Sequence, residues 1–99
     1  MVTPRIPIPQ EKIARFCQKN HIVTMSLFGS VLTDQFTPKS DVDFLVEFQT
    51  EHIPTFFDVV NMEEELSNII GRPADLKTAK GLSRYFRNEV LAQAQIIYG

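Results

Sequence analysis

The sequence predicts a two-layer α/β arrangement over a small sheet. Segments with helical periodicity alternate with β-branched or alternating segments, in the order helix, strand, turn, strand, helix, strand, helix. Glycine, proline and polar clusters mark most of the boundaries.

The first residues, "TPRIPIP" at 3–9, carry three prolines and so predict an extended lead-in. In "QEKIARFCQKN" the apolar residues Ile13, Phe16 and Cys17 recur at i, i+3, i+4, one face of a short helix that Asn20 stops. "HIVTMSLF" is β-branched and partly alternating, predicting a strand from about Ile22 to Phe28. Gly29-Ser30 ends it, "VLTD" suits one helical turn, and "QFTPKS" is loop. "DVDFLVEF" is a second strand, with Phe44, Val46 and Phe48 on one face and Asp41, Asp43 and Leu45 on the other.

After the loop "QTEHIP", Thr55 suits a helix N-cap with Asp58 three residues on. The apolar residues from Phe56 to Ile70 then recur at helical spacing, with Phe56, Phe57, Val60, Leu66 and Ile69 expected in the core. Gly71 closes this helix, and "EEE" at 63–65 reads as its solvated face. "ADLKTA" is a third, short strand, with Asp75 and Lys77 on one face and Leu76 on the other. Ser83 is a candidate cap for a final helix whose apolar stripe is Phe86, Val90, Ala94 and Ile97.

A chain of 99 residues suits a single domain, 1–99, with one modest core. The net charge of -2 argues against a module whose affinity comes from neutralising a nucleic-acid backbone. A lone cysteine, Cys17, leaves no disulfide framework and no thiolate metal cluster; its apolar helical face predicts a buried, inert thiol. No apolar run is long enough to span a bilayer and the first ten residues hold no signal-peptide core, so the expectation is a soluble cytoplasmic protein with no membrane partner. His21 and His52 flank loops without partners at metal-ligand spacing and read as surface residues. Arg84, Arg87, Tyr85 and Tyr98 read as solvent-facing or packing groups.

The stretch from Gly29 to Asp43 carries the chemistry. Asp41 and Asp43, at i and i+2 of a strand, project to one face roughly 7 Å apart along the chain. Two bare carboxylates that close repel each other unless a cation or donors intervene. Magnesium takes oxygen ligands, usually one or two carboxylates with water and substrate phosphates. Asp75, also on a short strand, is the natural third carboxylate, and three such groups on neighbouring strands could hold two ions for an in-line displacement at phosphorus. Gly29 lets backbone approach a phosphate closely, and N–H groups of the next turn with the Ser30 hydroxyl can grip it. Each half alone has an ordinary reading: Gly-Ser is a common turn, and Asp-x-Asp a common solvated strand end. An EF-hand is excluded, because "DQFTPKSDVDFL" lacks the required glycine and terminal glutamate.

The joint pattern of apolar strand, Gly29-Ser30, ten residues, Asp41-Val42-Asp43, apolar strand, helix and a third strand with Asp75 resembles the nucleotidyltransferase superfamily with the polymerase-β-like fold. It is most similar to the minimal nucleotidyltransferases, the antitoxin partners of HEPN/MNT toxin–antitoxin pairs, and the likeness extends through "FFDVVNMEEELSNIIGRPADL" and "LSRYFRNEVLAQAQIIYG". The resemblance implies a small mixed sheet backed by helices, Asp41, Asp43 and Asp75 as magnesium ligands, and Gly29 and Ser30 at the triphosphate. It implies transfer of AMP from ATP to a tyrosine of a HEPN ribonuclease toxin, which silences it, and a hetero-oligomer with that toxin. Two positions depart from the family pattern: Thr33 stands where a basic residue is frequent, and Lys77 where an apolar one is usual. Lys39, Lys77 and Arg87 are the cations that could compensate for the first. Two other readings stand beside this one: an antitoxin with weak or no catalysis that neutralises its toxin by binding, and a small-molecule nucleotidyltransferase of the antibiotic-modifying type.

Overall fold

A computed structural model describes residues 6–32, 37 and 40–99. Helix α1 (Gln10–Lys19) leads into strand β1 (Ile22–Phe28), and a 3-10 turn, Gly29–Leu32, follows directly. Strand β2 (Val42–Phe48), helix α2 (Phe56–Ile70) and strand β3 (Ala74–Lys77) come next. A second 3-10 turn (Ala79–Gly81), helix α3 (Arg87–Gln93) and strand β4 (Gln95–Tyr98) complete the order. The sheet runs β3-β2-β1-β4 and is mixed: β1 pairs antiparallel with β2 and β4, and β2 pairs parallel with β3. The α/β class and the small mixed sheet backed by helices are as expected.

One sheet face makes the core. Met25 and Leu27 of β1, Val42, Phe44 and Val46 of β2, and Ala74 and Leu76 of β3 are buried there against Ile13, Phe16 and Cys17 of α1 and Met62 and Leu66 of α2. Burial pushes the Cys17 thiol up to about 12, so it stays protonated and inert as expected. Thr55 caps α2 in a reciprocal box: its hydroxyl accepts from the Asp58 N–H, and the Asp58 carboxylate accepts from the Thr55 N–H at 2.9 Å. Gly71, in the left-handed region at φ 75°, terminates the helix.

Three expectations are corrected. First, the final helix does not run to Ile97. It is the seven-residue α3, and Gln95–Tyr98 is a strand on the otherwise free edge of β1. "QIIY" has strand propensity, and β1 would otherwise leave a row of unpaired backbone groups, so tertiary pairing overrides the helical spacing. Ser83 does not cap α3 through its side chain; its carbonyl accepts from the N–H groups of Phe86 and Arg87, and Phe86 is 61% exposed.

Second, Phe56 and Phe57 are 76% and 77% exposed, and Val60 is exposed too. At 3.6 residues per turn, Met62, Leu66, Ile69 and Ile70 share one side of α2 with Val59, whereas Phe56, Phe57 and Val60 fall on another. Third, "EEE" is not merely solvated. Glu65 forms an ion pair with Lys19 at 2.8 Å, and Glu63 accepts a hydrogen bond from the backbone of β3. Among the described residues, no helix is long and apolar enough to cross a membrane.

Candidate active site

β1 ends beside the start of β2, with Phe28 opposite Asp43. In the parallel pair, Asp43 lies directly opposite Asp75, and Leu45 opposite Lys77. Paired residues on neighbouring strands point to the same face. Asp43, Asp75 and Lys77 therefore leave the sheet together, on the side away from the core. Asp41 immediately precedes β2, two residues before Asp43, and is exposed. The strand begins one residue later than "DVDFLVEF" suggests, which does not change which carboxylates meet.

Electrostatics record the crowding. Asp43 has its proton affinity raised above the ordinary value of 3.8, first by burial, then by the negative charges of Asp75 and Asp41. The positive charge of Lys77 acts in the opposite direction. The donor set suits a hard divalent cation, which would relieve the repulsion between these groups. Among the described residues, no three acidic, histidine or cysteine side chains converge into a ready-made ligand cage. Magnesium does not require one, since it commonly uses one or two carboxylates and completes its shell with water and phosphate oxygens.

Gly29 faces this cluster. Its φ is 80°, and a Cβ built on it would lie 2.6 Å from Oδ2 of Asp43. Both facts require glycine: the backbone is left-handed, and any side chain would displace the carboxylate. Ser30 is half-buried in the 3-10 turn that follows, whose Val31 anchors into the core. Thr33 and Lys39 lie outside the described residues. The loop before β2 is tied at its near end, where the Ser40 N–H donates to the Thr37 carbonyl and Arg72 Nη1 donates to the same oxygen at 3.1 Å.

The position of Asp75 is fixed by groups that sequence reasoning missed. The N–H of Ala74 donates to Ser67 Oγ at 2.9 Å, and the N–H of Leu76 donates to Glu63 Oε2 at 2.8 Å. Both acceptors come from α2, one on each side of Asp75, and they satisfy the outward donors of an edge strand. Ser67 in turn donates to the Glu63 carbonyl at 2.6 Å. Spacing gave one available hint, since Glu63 and Ser67 are one helical turn apart.

Two other polar features lie elsewhere. His21 and His52 are exposed as expected, and their rings stack at 3.7 Å with 7° between planes. They line a cavity of about 440 Å³ with Ile53, Asn61 and Glu65. It opens at the start of β1, the opposite end of that strand from Gly29, and is not the carboxylate cleft. Arg87 binds the Leu82 carbonyl through Nη2 at 3.2 Å.

A family model described as "Polymerase beta, Nucleotidyltransferase" matches residues 11–99. Over 64 residues the chain is 34% identical to "Putative protein adenylyltransferase MJ1379" of Methanocaldococcus jannaschii, covering 65% of this chain and 64% of that protein, somewhat under two thirds of its length. A solved structure described as a "putative minimal nucleotidyltransferase" superposes with a TM-score of 0.70 at 28% identity, covering 86% of this chain and 85% of that one. A toxin-antitoxin structure with AMP-PNP superposes with a TM-score of 0.75, covering 93% of this chain and 74% of that one; at 19% identity it shows the shared fold alone. The carboxylates in register, the glycine bend beside them and a family match over nearly the whole chain agree, and the protein belongs to the polymerase-β nucleotidyltransferase family.

Proposed function

We propose that this protein is a magnesium-dependent nucleotidyltransferase that moves AMP from ATP to a tyrosine hydroxyl of a partner toxin of the HEPN family. The observation that carries this reading is the pairing of Asp43 with Asp75 beside the Gly29 bend. Asp41, Asp43 and Asp75 would hold the metal. When bound, magnesium neutralises charge on the phosphate oxygens and on the departing pyrophosphate. Gly29 and Ser30 accept the triphosphate, because the bend brings backbone close to the carboxylate edge without a side chain in the way. The acceptor oxygen forms a bond to the α-phosphorus, the bond from that phosphorus to the bridging oxygen breaks with its electron pair on pyrophosphate, and the hydroxyl proton passes to solvent.

The adenylyltransferase name of one relative and the toxin-antitoxin assembly of one fold neighbour support the same substrate and partner classes. The working unit is then a hetero-oligomer with the toxin, in the cytoplasm.

The test is the intact mass of the toxin after incubation with this protein and Mg-ATP. The expected result is a gain of one or more AMP groups, absent when Asp41 and Asp43 are both changed to Asn. A toxin of unchanged mass, still bound tightly, would instead make this chain a binding antitoxin.

A further inference from the structure

Sheet order separates the two flanks of Asp43. β2 lies between β1 and β3, so Gly29-Ser30 flank Asp43 on one side, while Asp75 and Lys77 flank it on the other. Displacement at phosphorus is in line: the attacking oxygen and the leaving group stand on opposite sides. With the leaving pyrophosphate held at the β1 side, the acceptor hydroxyl must come from the β3 side.

Lys77 stands there. It follows Asp75 by two residues, opposes Leu45 across the strand pair, and shares the carboxylate face. It is exposed, forms no ion pair among the described residues, and sits two residues along β3 from the Asp75 that pairs with Asp43. An ammonium left unpaired within reach of a carboxylate cluster is free to meet an incoming group.

We propose that Lys77 is the acceptor-side contact of this enzyme, its ammonium facing the attacking oxygen and favouring a phenol over an aliphatic hydroxyl. This inference rests on the transfer reaction proposed above. The developing negative charge on the attacking oxygen is stabilised by the nearby cation. A tyrosine hydroxyl, with an ordinary pKa of about 10, reaches that state more readily than serine or threonine. In the step, the phenol oxygen gains the bond to the α-phosphorus, pyrophosphate leaves with the electron pair of the broken bond, and the phenolic proton goes to solvent.

The experiment compares wild type, Lys77→Gln and Lys77→Arg, each first checked by thermal melting for an intact fold. Calorimetric titration with Mg-AMP-PNP should give affinities within about twofold of one another, because the lysine lies away from the phosphate bend. Transfer of AMP from ATP to the toxin should fall in K77Q by roughly tenfold or more in kcat/KM for the toxin, as expected for loss of one charged contact. K77R should recover most of that loss. A K77Q variant that transfers like wild type overturns the proposal. So does one that loses AMP-PNP affinity in parallel with transfer, since the lysine would then serve the phosphates. A wild-type protein that binds Mg-AMP-PNP and transfers nothing would instead refute the transfer reaction itself.

Discussion

Replacing Gly29 by alanine would require a left-handed alanine and would place its Cβ against the Asp43 carboxylate. The backbone conformation costs about 1–3 kcal/mol for a residue other than glycine. The carboxylate can swing aside, so the fold should survive, but the group that moves is one of the proposed metal ligands. Gly29→Ala should therefore cost on the order of a hundredfold in transfer rate while the protein still melts cooperatively. Asp43 gives the converse result. Its proton affinity is raised above 3.8, so at neutral pH the ionised side chain works against folding. In metal-free buffer, Asp43→Asn should melt higher than wild type at neutral pH. That advantage should shrink as pH falls through the raised folded pKa, and vanish below 3.8, where the carboxyl is protonated in both folded and unfolded chains. Thermal melts across that range check the sign. Transfer should be lost in this variant at every pH. These residues are legible as a group because they lie close in sequence, Gly29 and Ser30 just after β1 and Asp41 and Asp43 at the start of β2, and strand alternation fixes the face of Asp43.

At the scale of elements, β3 is short, lies at a sheet edge and carries Asp75, so its support comes from α2. Glu63→Ala removes the acceptor for the Leu76 N–H and should destabilise by about 1–3 kcal/mol. It should also speed hydrogen exchange at Leu76, lowering transfer without touching the carboxylates. Glu63→Gln, which keeps an acceptor oxygen, should recover much of both effects. None of this is visible in "EEE", because helix-face polarity looks the same whether the carboxylates meet water or a strand. The C-terminal elements differ from the sequence expectation for a related reason. Val90, Ala94 and Ile97 do recur at helical spacing, yet a free edge on β1 was available to Gln95–Tyr98, and only the assembled sheet reveals that edge. By contrast, the Thr55–Asp58 cap and the Gly71 stop depend on neighbours within a few residues, and the structure has both where the sequence predicts them.

For the whole molecule, core burial divides the apolar residues of α2 into two groups that composition cannot separate. Leu66 is fully buried, so Leu66→Ala should cost about 2–5 kcal/mol in urea unfolding. Phe57→Ser, on the exposed side, should change stability by less than about 0.5 kcal/mol. Equal losses would return Phe57 to the core. Helices cover one side of the sheet, and the other, the face proposed for catalysis, carries carboxylates from two strands with the glycine bend at their edge. The family pattern points to the same residues, while the acceptor side proposed above is argued from the order of the strands. The most direct measurement is a manganese titration followed by backbone amide resonances, in the presence of AMP-PNP. Paramagnetic broadening should centre on Gly29–Val31, Asp41–Phe44 and Ala74–Leu76, and disappear when Asp43 and Asp75 are both changed to Asn. Broadening centred elsewhere, or undiminished in that double variant, would contradict a metal and nucleotide site built from these strands.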